Sequence, residues 1–143
     1  MQWNPYLSFD GQCEEAFTFY ARCLGGTIEA MIPYGNSESA DRVPADLRDK
    51  IMHARLVAGG QVLMGSDAHP EQPYVGVTGC SVAVQADTPG AAARLFDALA
   101  EHGRITVPLQ ETSWAVRFGM FTDRFGVPWM ISCERFLPPA RTA

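Results

Sequence analysis

The chain has 143 residues, 47% hydrophobic and 19% charged, with 16 acids against 11 bases for a net charge of −5. That length suits one domain able to bury its own core, and the apolar content excludes disorder. The acidic balance disfavours phosphate-backbone binding, and no run approaches the ~20 apolar residues of a membrane span, so neither nucleic acid nor membrane is expected as a partner.

The start, Met1-Gln2-Trp3-Asn4-Pro5, has no basic region before an apolar stretch and does not read as a secretory signal. Cys13, Cys23, Cys80 and Cys133 are scattered and show no CxxC spacing. They read as reduced thiols, mostly packed as small apolar groups, in a cytoplasmic protein.

In chain order, Tyr6 to Asp10 predicts a short strand ending at an acid able to cap a helix. Cys13, Ala16, Phe17, Tyr20, Cys23 and Leu24 then recur at helical spacing, and Gly25-Gly26 stops the helix. Thr27 to Pro33 predicts a second strand, followed by a polar loop, Tyr34 to Asp49, whose 36–41 part reads as a solvated insertion or a lid. Ile51 to Val57 and Gln61 to Ser66 predict a hairpin across Gly59-Gly60.

The same order returns after a shift of 77 residues, with Asp10 to Gly26 matched by Asp87 to Gly103. Cys80 to Ala86 predicts a strand, Thr88-Pro89 a helix opening, and Ala92, Leu95, Phe96 and Leu99 an apolar stripe ended by Gly103. Both helices are expected to run about four turns. Strands follow over 104–109, 115–122 and 127–133, the last two joined across Asp123 to Gly126. The fold class is therefore α+β: a single domain of two β-α-β-β-β modules, about 1–67 and 79–136, with a linker near 68–78 and a tail at 137–143. Neither module is expected to be stable alone. Each sheet, covered by one helix, has a concave face to spare, where a small-molecule ligand would sit.

With these modules laid out, the chain resembles the vicinal-oxygen-chelate superfamily, which includes glyoxalase I, bleomycin-resistance proteins, fosfomycin-resistance enzymes and extradiol dioxygenases. It is most similar to the PhnB-like branch. The resemblance runs from Pro5-Tyr6-Leu7 to Glu134 and is carried by YLSFDGQCEEAFTFY, HARLVAGGQVLMGSD and RFGMFTDRFGVPWMISCE. It implies a glyoxalase-like domain with a concave cavity, a homodimer, and a divalent metal held by His and Glu on the first and fourth strands of each module. The residues at those positions depart from that pattern. Met1 to Ser8 has no His, Asp, Glu or Cys, and its counterpart offers only Cys80. Four residues past Gly60 and Gly126 stand Met64 and Met130, thioethers that suit soft Cu(I). No cofactor is therefore expected, and the ligand positions for a divalent metal look lost. Some PhnB-like chains are labelled demethylubiquinone methyltransferases, but no Gly-rich strand-to-helix cofactor turn supports that activity here.

Strand alternation predicts which residues line the concave side. Met52, Ala54 and Leu56 should pack under the first helix, leaving Ile51, His53 and Arg55 on the other face. In the second half Val116, Phe118 and Met120 should pack, leaving Arg117 and Gly119, while Trp129, Ile131 and Cys133 oppose Pro128, Met130 and Ser132. The candidate site gathers His53, Arg55, Met64, Ser66, Arg117, Met130 and Ser132. His53 is an acid or base, or else a group hydrogen-bonded across the sheet. Arg117 is a clamp for a carboxylate or phosphonate, or an ion-pair partner of Glu111 or Asp123. Trp129 and Phe125 read as core, and His69 and His102 as exposed loop residues. The function expected is small-molecule binding, with lyase/isomerase-type catalysis or ligand sequestration like that of bleomycin-resistance proteins as the two readings.

Overall fold

The structure is a computed structural model describing residues 1–38 and 40–134; the tail expected from 137 onward lies outside them. The chain divides into two compact units, 1–77 and 78–143. In the first, β1 (Tyr6–Phe9), α1 (Cys13–Leu24), β2 (Thr27–Pro33), β3 (Ile51–Ala58) and β4 (Gln61–Asp67) follow in order. Its sheet runs β1-β4-β3-β2, with β1 parallel to β4 and the other pairs antiparallel. The second unit repeats this as β5 (Val82–Gln85), α2 (Pro89–Leu99), β6 (Arg104–Gln110), β7 (Ala115–Thr122) and β8 (Pro128–Glu134), ordered β5-β8-β7-β6. The fold is α+β, built of paired β-α-β-β-β modules.

Each helix buries its apolar stripe on its own sheet. Cys13, Ala16, Phe17 and Tyr20 of α1 are fully buried, and Phe17 meets Phe9 and Tyr20 at ring distances of 6.0 Å. In the second unit Phe96 of α2 stands edge-on to Phe121 at 5.1 Å. The helices have 12 and 11 residues, about three turns rather than four. Thr88 caps α2 as expected, its hydroxyl accepting from the Ala91 N–H at 3.1 Å. Asp10 does not cap α1. Asp67, buried at the end of β4, accepts from the Cys13 N–H at 2.9 Å and from the Ile51 N–H at 2.8 Å. One carboxylate thus joins the helix start to the first residue of β3.

Cys13 lies against this carboxylate. Burial first, then Asp67 and Glu14, push its thiol far above the ordinary range. The native state therefore keeps the thiol proton when the unfolded chain has lost it, so stability falls as pH rises past the ordinary thiol value of about 9. The loss should reach up to ~1.4 kcal/mol per pH unit. Urea titrations at pH 8 and pH 10 should show it, and Cys13→Ala should flatten the slope.

The helix ends differ in one respect from the sequence reading. Gly25 takes the left-handed cap of α1 (φ 65°), but after α2 it is His102 that holds φ 60°, and Gly103 does not. Gly103 and its counterpart Gly26 serve another need: a Cβ there would strike the Thr122 and Val57 carbonyl oxygens. Both mark the point where the chain leaves the helix and presses onto the neighbouring strand.

Three single-turn 3-10 helices (34–36, 40–42 and 45–47) shape the polar loop. Its base is held by the Tyr34 N–H on the Lys50 carbonyl at 2.8 Å and by the Tyr34 hydroxyl on the Asp67 carbonyl at 2.8 Å. His69, read as exposed, is half-buried instead, with its ring 5.8 Å from that of Tyr34 and its Nδ1 accepting from the Glu71 N–H.

Candidate functional site

Directly paired strand residues share a sheet face, so the registers fix which side chains lie together. In the first sheet Tyr6 pairs Met64, Met64 pairs Arg55, and Arg55 pairs Ala30. The adjacent row holds Ser8 opposite Ser66, and His53 opposite Ile32. These residues lie on the face away from α1. Four of the expected site residues, His53, Arg55, Met64 and Ser66, thus share one surface, all half-buried.

Two bulges tune this surface. Glu29 is an extra residue on β2 between the pairs of Ile28 and Ala30, and its carboxylate accepts from Arg55 Nε at 2.9 Å. Met52 is the extra residue on β3 between the pairs of Ile51 and His53. That bulge corrects the expected alternation: Ile51 is buried on the helix side instead of lying beside His53. Neither Glu29 nor the bulges carry a strong sequence signal, because an acid in a strand usually reads as a solvated face.

His53 is placed by Tyr6. The phenol oxygen lies 3.2 Å from His53 Nδ1, and the two rings stack at 5.8 Å with 25° between planes. When the phenol donates to Nδ1, the imidazole carries its proton on Nε2; when it accepts, Nδ1 carries it. Either way the contact orients the ring. Tyr6 was not among the sequence-derived site residues, since a Tyr opening an apolar strand reads as packing.

In the second unit Met130 and Ser132 lie on the face away from α2, with Met120 paired to Met130 and Phe118 to Ser132. The expected packing of Phe118 and Met120 under the helix is therefore corrected. Gly119 and Phe121 face α2, where a Cβ on Gly119 would come within 2.5 Å of Phe96. Arg117 is corrected with them. It pairs Cys133, on the side of Ile131 and Trp129, and its guanidinium donates to the Val116 carbonyl at 2.7 Å. A bulge between Ala115 and Arg117 interrupts the alternation there. The expected Asp123 partnership for Arg117 gives way to another role. Asp123 is buried and accepts from the Phe125 N–H, the Val127 N–H and Trp129 Nε1 at 2.8, 3.0 and 2.8 Å. Trp129 and Phe125 belong to the core, at 1% and 8% exposure.

The donor set does not fit a hard divalent metal. Met64 and Met130 are thioethers, and among the described residues no group of three or more His, Cys, Asp or Glu could hold a metal ion. No helix among the described residues is long and apolar enough to cross a membrane.

Comparison with known proteins agrees with this architecture. The profile of the Glyoxalase/Bleomycin resistance protein/Dioxygenase superfamily matches residues 3–131. YjdN of Escherichia coli strain K12 is 36% identical, covering 96% of this chain and 99% of that protein. The crystal structure of PA1353 from Pseudomonas aeruginosa is 56% identical over 94% of this chain and 98% of that one, with a TM-score of 0.87. A PhnB protein from Bacillus cereus, described as a putative 3-demethylubiquinone-9 3-methyltransferase, is 25% identical over 93% and 99%, with a TM-score of 0.78. On the matched profile, these relatives and the repeated β-α-β-β-β topology, the chain belongs to the glyoxalase/bleomycin resistance protein/dioxygenase superfamily.

Proposed function

We propose that the protein binds a small molecule on its open sheet faces and that His53 moves a proton on it, in a lyase- or isomerase-type reaction. The observation that carries this reading is the Tyr6–His53 contact: a half-buried imidazole held at Nδ1 by a phenol, next to Arg55, on a face turned away from the helix. Arg55 commits one N–H to Glu29 and has four further donors for an oxygen-rich substrate. Met64 and Ser66 complete that surface, and Met130 and Ser132 belong to the ligand face of the second unit. The same reading has the protein working as a cytoplasmic homodimer, and its four cysteines, present as thiols, fit a reducing compartment.

Sequestration without turnover is the second reading, favoured by the second sheet's open face, whose two central rows, with Met120, Met130 and Phe118, hold no ionisable side chain. The two separate in one experiment. A thermal-shift panel of small carboxylates, phosphonates and carbonyl compounds should yield stabilising ligands, since one present at 100 times its Kd adds ~2.7 kcal/mol. Single-turnover assays of those ligands should then give product, reduced about 100-fold or more by His53→Ala and less by Tyr6→Phe. Tight binding with no product assigns sequestration, and full activity of His53→Ala removes His53 from the site. One stoichiometric Zn²⁺ or Ni²⁺ per subunit in elemental analysis would overturn the metal-free chemistry.

A further inference from the structure

We infer that the second sheet's open face is a binding surface for a flat, uncharged aromatic group, an inference that rests on the reading of these faces as ligand surfaces. The two modules are superimposable in register. The 77-residue shift that carries Tyr6 to Ala83 also carries Ser8 to Gln85 and Ala30 to Val107. The row Tyr6–Met64–Arg55–Ala30 becomes Ala83–Met130–Met120–Val107. The neighbouring row, with His53, Ser66 and Ser8, becomes Phe118, Ser132 and Gln85, with Gln110 paired to Phe118.

One lattice therefore carries two chemistries. Where the first sheet has Tyr6, Arg55 and His53, the second has Ala83, Met120 and Phe118, and these two rows hold no ionisable side chain. Trp114 extends the surface. It packs edge-on against Phe118 at 4.8 Å and remains 45% exposed. It is presented by a fixed turn, in which the Thr112 N–H reaches the Ala115 carbonyl and the Ala115 N–H reaches the Thr112 hydroxyl, both at 3.0 Å.

The chemistry selects the occupant. A charged group would lose hydration here against rings and thioethers, with no ionisable side chain within these two rows, which disfavours it. A flat ring gains edge-to-face contact with Trp114 and Phe118 and sulfur contacts with Met120 and Met130. Gln85, Gln110 and Ser132 offer neutral hydrogen bonds for a ring hydroxyl or carbonyl. A saturated ring of equal size would gain the burial without the ring and sulfur contacts.

The test uses the full chain labelled with ¹³C at its six methionine methyls and titrated with 2-naphthol, its saturated analogue 2-decalol, and 2-naphthoate. The Met120 and Met130 signals should shift saturably with 2-naphthol. Affinity for 2-decalol and 2-naphthoate should be at least tenfold weaker. Trp114→Leu, which keeps an apolar side chain and removes the ring, should weaken 2-naphthol at least fivefold. Equal affinity for all three compounds, or unchanged binding to Trp114→Leu, would overturn the inference. So would concentration-dependent shifts at Met120 and Met130 with dimer sedimentation and no probe response, which would assign the face to a second copy of the chain. A response of Met64 alone would also overturn it while leaving the His53 reading standing. Its failure is thus distinguishable from failure of the proposed function.

Discussion

Asp67→Ala should destabilise the protein by about 3–5 kcal/mol, because it strands two buried backbone donors at once. Asp67 is 2% exposed, and its oxygens accept from Cys13 at the start of α1 and from Ile51 at the start of β3. Alanine removes both acceptors. Asn should rescue only in part, since its amide presents a donor to one of the two N–H groups. The effect reaches the site, because Ile51 lies two residues before His53 on the same strand. Asp10→Ala, at an exposed residue that caps nothing, should change stability by less than about 0.5 kcal/mol. Equilibrium urea unfolding of the three variants measures the contrast; equal losses for Asp10→Ala and Asp67→Ala would contradict it.

Gly119→Val should cost about 3 kcal/mol or more, whereas Met120→Leu at the next residue should cost less than about 1.5 kcal/mol. A Cβ at Gly119 would meet Phe96 at 2.5 Å and the backbone of Leu109 at 3.0 Å, so helix and strand would both have to give. Met120 points the other way, paired to Met130 on the open face, where a similar volume is accommodated. Because adjacent residues in a strand face opposite sides, this pair of substitutions reads the parity of β7 directly. Similar costs at both positions would place Met120 in the core and remove it from the proposed aromatic surface.

Much of the architecture is legible in the sequence because it is stated twice. The order of strands and helices, the glycine turns, and the Thr88-Pro89 helix opening follow from local chemistry that burial later reinforces. Side-chain direction survives only where the ladder is regular. Along β4 and β8 simple alternation places Met64, Ser66, Met130 and Ser132 on the open faces. On β3 it fails at the bulge, where Ile51 turns inward beyond Met52. A bulge is a property of two paired strands, so neither strand alone announces it. Parity along β7 fails for a second reason. Phe118 and Met120 look more like core than Gly119 does, but Gly119 is the residue that lets Phe96 approach the sheet.

Of the two groups in the proposed site, the sequence points to one. His53 stands out as the histidine within a strand, whereas Tyr6 meets it only through parallel pairing of β1 with β4, which brings residues 47 positions apart into contact. The α1 cap shows the same limit. A nearby Asp10 is the obvious local cap, but the distant Asp67 supplies it, because the strand end places a buried acceptor where the helix begins.

Whether His53, oriented by Tyr6, faces a bound small molecule can be read from the ¹⁵N spectrum of the three histidine imidazoles during titration with a ligand found by thermal shift, in the wild type and in Tyr6→Phe. The His53 ring nitrogens should shift saturably at the ligand's own Kd while those of His102 stay fixed, and Tyr6→Phe should alter the His53 tautomer balance before ligand is added. A ligand that binds and stabilises the protein while leaving both His53 nitrogens unmoved would contradict this placement of His53.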